Sequence, residues 1–304
     1  MKHPSQYPAK LLLFGEYTII QDSKALAIPL YNFGGYWKMA ESGNINIELQ
    51  QGLPAILKYV QLAQQNKTLL DIDTTAFEKD LQKGLFFYSN IPQGYGLGSS
   101  GAVTAAIYDR FAQGARQTDD LLKLKRTLAQ LESCFHGASS GSDPLICYLD
   151  QAVLFRNKEE LEKVQINKAH QESLFLIDTG VARKTSPLVQ IYLEKCKDDY
   201  YQNRLHAELI PLIDDGINAF LENQLEQLIQ IIHQISYFQF KYFDPMIPDT
   251  YRSIWLDCLS SSHTKLKLCG AGGGGCILGF TSDKEQAKTL LKDQNLIFIN
   301  EPNR

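Results

Sequence analysis

Residues 94–101 read Gly94-Tyr95-Gly96-Leu97-Gly98-Ser99-Ser100-Gly101, and this stretch narrows the choice of fold more than any other in the chain. It follows a short apolar run at 85–88 with the length of a strand, and it opens a helically spaced segment at 100–113. Glycines let a backbone come close to a neighbour, and the amides of a helix's first turn have no carbonyl one turn back to bind. A strand, a glycine-rich loop and a helix N-terminus in that order form an anion cradle, to which the hydroxyls of Ser99 and Ser100 add donors or a metal ligand.

Two nucleotide chemistries compete for this loop. Gly96, Gly98 and Gly101 satisfy the dinucleotide spacing GxGxxG, with Asp119 and Asp120 at a suitable distance beyond, which keeps an NAD(P)-dependent oxidoreductase open. Such a loop belongs directly at a strand's end, in the first strand–helix unit of its domain; here residues 91–93 intervene and more than 80 residues precede. No lysine follows the glycines, so the Walker A pattern fails. A plain structural turn is the third reading.

A second glycine run, Cys269-Gly270-Ala271-Gly272-Gly273-Gly274-Gly275-Cys276, joins strand-like 265–268 to strand-like 276–280. Each glycine costs roughly 0.5–1 kcal/mol of conformational entropy relative to alanine. The run therefore reads as a backbone that something must approach, a flexible hairpin being the alternative. Further strand-like runs lie at 11–14, 152–155 and 174–177, and helical spacing at 54–64, 118–134, 187–196, 199–222, 225–236, 250–259 and 282–291. Thr118 and Ser282 stand where N-cap hydroxyls are expected, each followed by acidic residues. Strands dominate the first 50 residues and helices the stretch 187–259, which favours an α+β protein. The polar stretch 157–163 beyond Asp150 suggests an N-terminal part over 1–155 and a C-terminal part over 156–304.

Charge removes whole classes of function. With a net charge of −4 and a pI near 5.9, the chain lacks the excess of Lys and Arg that a nucleic-acid binder needs, so an anionic ligand has to be met by local features. No apolar run approaches the roughly 18–20 residues of a membrane helix, and MKHPSQYPAK holds no apolar core of a signal peptide, which together point to a cytoplasmic protein. Six cysteines without a CxxC pair read as reduced, mostly buried thiols.

Other residues gain meaning only in company. Lys10 at a strand's entrance reads alone as a solvated edge residue, Asp143 before Pro144 as a turn residue, and His136 as structural. Taken together, Pro8-Ala9-Lys10 with Phe14-Gly15-Glu16-Tyr17, the loop of 94–101, His136-Gly137 with Ser140-Gly141-Ser142-Asp143, and the run of 270–275 resemble the GHMP kinase superfamily, its three motifs occurring in order between residues 8 and 280. The likeness is greatest to the mevalonate kinases, in Lys10, in the HGxxSGxD pattern of 136–143, and in Thr179-Gly180-Val181-Ala182-Arg183-Lys184-Thr185, similar to their TxxxRxT segment. Glu132 stands eleven residues before Asp143, as the magnesium-binding glutamate does in that family. Tyr17, where mevalonate kinases usually have histidine, and the wording of 95–101 lean towards phosphomevalonate kinases, so both acceptors stay open.

The resemblance implies a two-domain α+β GHMP kinase fold, with a ribosomal protein S5 domain 2-like N-terminal part and a ferredoxin-like α/β C-terminal part. It implies ATP and Mg²⁺ as cofactors, mevalonate or phosphomevalonate as substrate, and a monomer or homodimer with no nucleic-acid or membrane partner. Asp143 would take the proton of the acceptor hydroxyl, and Lys10 would hold Asp143 and favour the developing alkoxide. Gly94, Gly96, Leu97, Gly98, Ser99, Ser100 and Gly101 would cradle the triphosphate, with Ser100 and Glu132 as metal ligands. Glu16, Tyr17, His136, Ser140, Gly141, Arg183, Thr185, Gly272 and Gly273 would hold the acceptor.

Overall fold

The computed structural model describes residues 6–40, 52–66, 72–113, 120–167, 173–183 and 185–299. Two compact units emerge, and neither is a continuous piece of chain. The first comprises residues 1–10, 32–92 and 98–151, the second residues 11–31, 93–97 and 152–304. Strands β1 (Tyr7–Phe14) and β2 (Ala25–Met39) each contribute residues to both.

In the first unit the far half of β2 pairs antiparallel with β3 (Leu85–Ser89), Trp37 facing Phe87 and Tyr36 facing Tyr88. Alternation along the strands sends Trp37 and Phe87 to one side, where Trp37 also meets Phe111 edge-on and its indole N–H donates to the carbonyl of Ala106 at 3.3 Å. Tyr36 and Tyr88 take the other side, with Lys38 Nζ 4.4 Å from the centre of the Tyr88 ring. Helices α1 (Leu53–Gln65), α2 (Thr74–Gln82), α3 (Ser99–Phe111), α4 (Leu121–His136) and α5 (Ser142–Leu149) complete the unit. Phe77 of α2 stacks on Phe111 of α3 at 4.5 Å. Helix α5 corrects the expectation of a loop at Asp143: the residue lies in the helix's first turn, where Pro144 costs nothing because its missing N–H has no intrahelical partner.

In the second unit the near half of β2 pairs with β4 (Ala152–Phe155), which pairs in turn with β5 (Leu161–Val164). A separate sheet contains β6 (Leu174–Asp178), β7 (Thr264–Leu268), β8 (Cys276–Thr281) and β9 (Asn295–Phe298), all antiparallel, in the order β7-β8-β6-β9. With helices between β6 and β7 and between β8 and β9, that order is the split βαβ arrangement of ferredoxin-like domains, as expected for the C-terminal part. The helices are α6 (Thr185–Lys195), α7 (Asp199–Arg204), α8 (Ile210–Leu221), α9 (Leu225–Tyr242), α10 (Arg252–Ser260) and α11 (Lys284–Leu290). Phe14 at the end of β1 packs on Phe220 and Phe280, and the buried Trp255 donates its indole N–H to the carbonyl of Ser236 at 3.3 Å.

Three details depart from the periodicity. The segment expected as one helix over 199–222 is interrupted by a π-helical turn, Leu205–Leu209, just before Pro211. A proline inside a helix clashes with the carbonyl four residues back, and widening the preceding turn relieves that clash. The caps also shift. Helix α4 is capped by Asp120, which accepts from the Lys123 amide at 2.9 Å, while Thr118 lies outside the described residues. Helix α11 is capped by Asp283, not Ser282, its carboxylate accepting from the amides of Glu285 and Gln286 at 3.0 Å each, because an anion suits the positive end of a helix better than a hydroxyl. All six cysteines are free thiols, and burial pushes those of Cys134 and Cys258 up to about 12.

One buried contact ties the turn after β1 to the second sheet. Lys267 Nζ of β7 lies 2.5 Å from Glu16 Oε1, with both side chains fully out of solvent. Removing one member of such a pair strands the other charge, whereas replacing both with apolar groups removes the desolvation cost as well. Lys267→Met is expected to lower unfolding free energy by about 3–5 kcal/mol in urea titrations, and Glu16→Leu/Lys267→Met to recover most of that loss. A double variant no more stable than Lys267→Met contradicts this account.

Candidate functional site

The first unit gathers four of the expected residues around the start of α3. Lys10 on β1 places its Nζ 3.0 Å from Asp143 Oδ1 in the first turn of α5, with the lysine side chain 10% exposed and the aspartate 35%. Gly98, the N-cap of α3, passes directly beside that pair: a Cβ there would meet Lys10 Cγ at 2.9 Å. Gly101 sits one turn further on, where a Cβ would lie 2.9 Å from the Asp143 carbonyl carbon and from Pro144 N. The start of α3 and the start of α5 can cross this closely only because both positions lack a side chain. Cys147 of α5 approaches the Gly98 carbonyl at 3.9 Å, and burial pushes its thiol well up, so it is an inert packing group.

A second cluster lies on the next helix. Ser100 Oγ donates to Glu132 Oε1 at 2.8 Å, and Ser139 Oγ donates to Glu132 Oε2. Glu132 is buried, 5% exposed. Ser139 is a residue the sequence motifs passed over; its only signal was a second hydroxyl beside Ser140. Ser140 and Gly141 shape the entry into α5. The Ser140 hydroxyl accepts from the Ser142 amide at 3.3 Å, and a Cβ on Gly141 would collide with the Lys125 carbonyl at 2.1 Å. His136 closes α4, and its side chain lies outside the described part, as does that of Thr185 at the start of α6.

The second unit holds the remaining candidates. Gly94 and Gly96 lie against the segment that follows β6, and Leu97 is buried beside them in sequence: the Arg183 amide donates to the Gly94 carbonyl at 3.1 Å. Arg183 sends Nη1 to the Gly272 carbonyl at 3.1 Å and Nη2 to the Cys269 carbonyl at 3.3 Å. The glycine run is thus approached by the chain itself. Thr179 Oγ1 donates to the Gly275 carbonyl at 2.7 Å, the Gly273 amide to the Met246 carbonyl at 2.6 Å, and Tyr17 OH to the Ala271 carbonyl at 2.6 Å. Burial pushes the Tyr17 phenol far above its usual value, against the opposing pull of Arg183, so it stays a donor. Tyr17 and Glu16 are turned inward, 5% and 2% exposed, towards Ala271 and Lys267. A cavity of about 490 Å³ opens beside Arg183 and Gly273, lined also by Leu188, Asp244 and Asp249.

Chemically, the first unit offers a carboxylate held by an ammonium beside a helix N-terminus, and an oxygen pair from a hydroxyl and a carboxylate. The dinucleotide reading finds no support in this geometry. Strand β3 pairs antiparallel with β2, not in a parallel strand–helix–strand unit, and residues 90–98 separate it from α3.

Comparison with known proteins identifies the family. The GHMP kinases N terminal domain matches residues 61–151 and the GHMP kinases C terminal domain residues 217–293, together more than half of the chain. A mevalonate kinase of Archaeoglobus fulgidus is 26% identical over 94% of this chain and 95% of its own length, and one of Schizosaccharomyces pombe is 23% identical over 96% and 87%. Among solved structures, L. major mevalonate kinase in complex with R-mevalonate superposes with a TM-score of 0.64 at 17% identity, covering 96% of this chain and 91% of that one. Streptococcus pneumoniae phosphomevalonate kinase gives 0.64 at 19% identity, covering 97% and 99%. Those two likenesses speak for the fold. No helix among the described residues is long and apolar enough to cross a membrane. With both of its domains present in order on an α+β framework, the chain belongs to the GHMP kinase family.

Proposed function

We propose that the chain transfers the γ-phosphoryl group of Mg·ATP to the primary hydroxyl of mevalonate, in the cytoplasm and as a step of isoprenoid precursor synthesis. The observation that carries this reading is the Lys10–Asp143 contact of 3.0 Å beside Gly98, which sets a base and a cation at the mouth of an anion-binding helix. Relatives named mevalonate kinase over nearly the whole chain support the choice of acceptor. The division at residues 155/156 into N- and C-terminal domains belongs to the same reading.

In this mechanism Asp143 accepts the proton of the acceptor hydroxyl as its oxygen bonds to the γ-phosphorus and the bond to the β-phosphate oxygen breaks. Lys10 holds Asp143 in place and offsets the negative charge growing on the attacking oxygen. The amides at the start of α3, with Ser99 and the loop from Gly94 to Gly98, meet the phosphates, so little covalent chemistry is asked of the protein. Ser100 and Glu132 present an all-oxygen pair, which fits a hard cation and would hold it. Mg²⁺ bound there would supply neutralisation of the triphosphate's charge. Among the described residues no group of three or more His, Cys, Asp or Glu forms a dedicated metal cage. Arg183, Thr185, His136, Ser140, Gly141, Gly272, Gly273, Glu16 and Tyr17 are the residues expected to hold the acceptor, with Tyr17 tied to Ala271 and Glu16 to Lys267.

A coupled ADP-release screen over mevalonate, phosphomevalonate, galactose and homoserine tests the assignment, with mevalonate expected to give the highest kcat/KM. A preference for phosphomevalonate would overturn the acceptor, and stabilisation by NAD but not by Mg·ATP would overturn the kinase. Asp143→Asn is expected to keep ATP-dependent thermal stabilisation while kcat falls by roughly 10²–10⁴, the usual contribution of a general base. Ser100→Ala and Glu132→Gln are each expected to raise the Mg²⁺ concentration for half-maximal rate by roughly tenfold or more. An unchanged Mg²⁺ requirement in both would remove these residues from the metal site.

A further inference from the structure

The guanidinium of Arg183 occupies a place that two glycines leave open. A Cβ on Gly96 would lie 1.9 Å from Arg183 Nη2, and one on Gly270 would lie 2.7 Å from the same atom. The group is therefore wedged between the entry to the phosphate loop and the glycine run, and its two terminal nitrogens donate to the Gly272 and Cys269 carbonyls at 3.1 and 3.3 Å. Its own backbone amide holds the Gly94 carbonyl at 3.1 Å. One residue thus touches both glycine-rich segments through main chain and side chain alike.

We propose that Arg183 is a positioning residue for the nucleotide: it clasps residues 93–97 to residues 269–275 and so sets the backbone that leads into Gly98 and the first turn of α3. This rests on the reading of that loop as the phosphate cradle. A planar fork can span two carbonyls while lying flat between two backbones, which a lysine ammonium on a flexible stem cannot. An acceptor-holding arginine acts only on the acceptor. A clasp acts on ATP even when no acceptor is present, and it acts on both segments together.

The test compares wild type, Arg183→Lys and Arg183→Gln in the full chain, by amide hydrogen exchange and by ATP binding measured without acceptor. In both variants, peptides covering 93–97 and 269–275 are expected to exchange on the order of tenfold faster together, since each segment loses the same contact. The ATP dissociation constant is expected to rise by roughly tenfold, with Arg183→Lys failing to restore it because charge without the fork does not rebuild the clasp. Unchanged exchange in either segment overturns the proposal. So does a rise confined to the acceptor KM with ATP binding intact, or full rescue by Arg183→Lys. Should the wild-type chain bind no ATP, the kinase reading falls by itself and the exchange data alone decide whether the clasp exists.

Discussion

Side chains that are not there govern how close the backbones in this molecule can come. At Gly98 and Gly101 a single added carbon would press against Lys10, Asp143 and Pro144, so the α3–α5 crossing and the Lys10–Asp143 contact stand or fall together. The same holds in the second unit, where Gly96 and Gly270 make room for one guanidinium. Each of these glycines weakens its segment entropically. The cost is tolerated because what fills the space, a charge-assisted hydrogen bond or an ion pair, could not otherwise be packed between main chains.

The ionic contacts fall into two physical classes. Lys197–Glu194, at the end of α6, and Lys288–Glu285, on α11, are exposed and contribute little, since water screens them and two long side chains lose freedom in making them. Lys267–Glu16 is withdrawn from solvent, where each partner needs the other to offset lost hydration, and Lys10–Asp143 lies between the classes, its lysine nearly buried and its aspartate partly open to water. These two pairs are the ones that reach back to the first motif from far along the chain.

Much of this was legible in the residues. The strand–loop–helix around 94–101 showed itself because glycine and serine clustering has few other uses, and the eleven-residue spacing of Glu132 and Asp143 survived as a shared neighbourhood near α3. Helix α5 did not show itself, because eight residues with a proline in the first turn carry too little periodicity, and contact with α3 sustains them. Strands β5 and β9 escaped notice for a related reason: Leu-Glu-Lys-Val and Asn-Leu-Ile-Phe are short edge strands without a fully buried face. Lys267 could not have been matched to Glu16 from sequence, since 251 positions separate them and a lysine in a strand announces no partner. The purpose of the glycine run was half-read: a close approach was expected, but the approaching group is the chain's own Arg183, Thr179 and Tyr17.

The π-helical turn at Leu205–Leu209 carries one residue more than an ordinary turn would use. An extra residue in a helix rotates everything before it by about 100° relative to everything after it. Upstream of the turn lies Tyr201, which is buried with its ring 6.4 Å from Tyr192 and 6.5 Å from Phe243, and Tyr192 in turn lies 4.8 Å from Tyr17. The wider turn therefore works as a phase setting. Losing one residue between 205 and 209 would leave α8 and α9 in register with each other while swinging Tyr201 out of the aromatic group behind Tyr17, so helix length here is a specification as strict as any side chain.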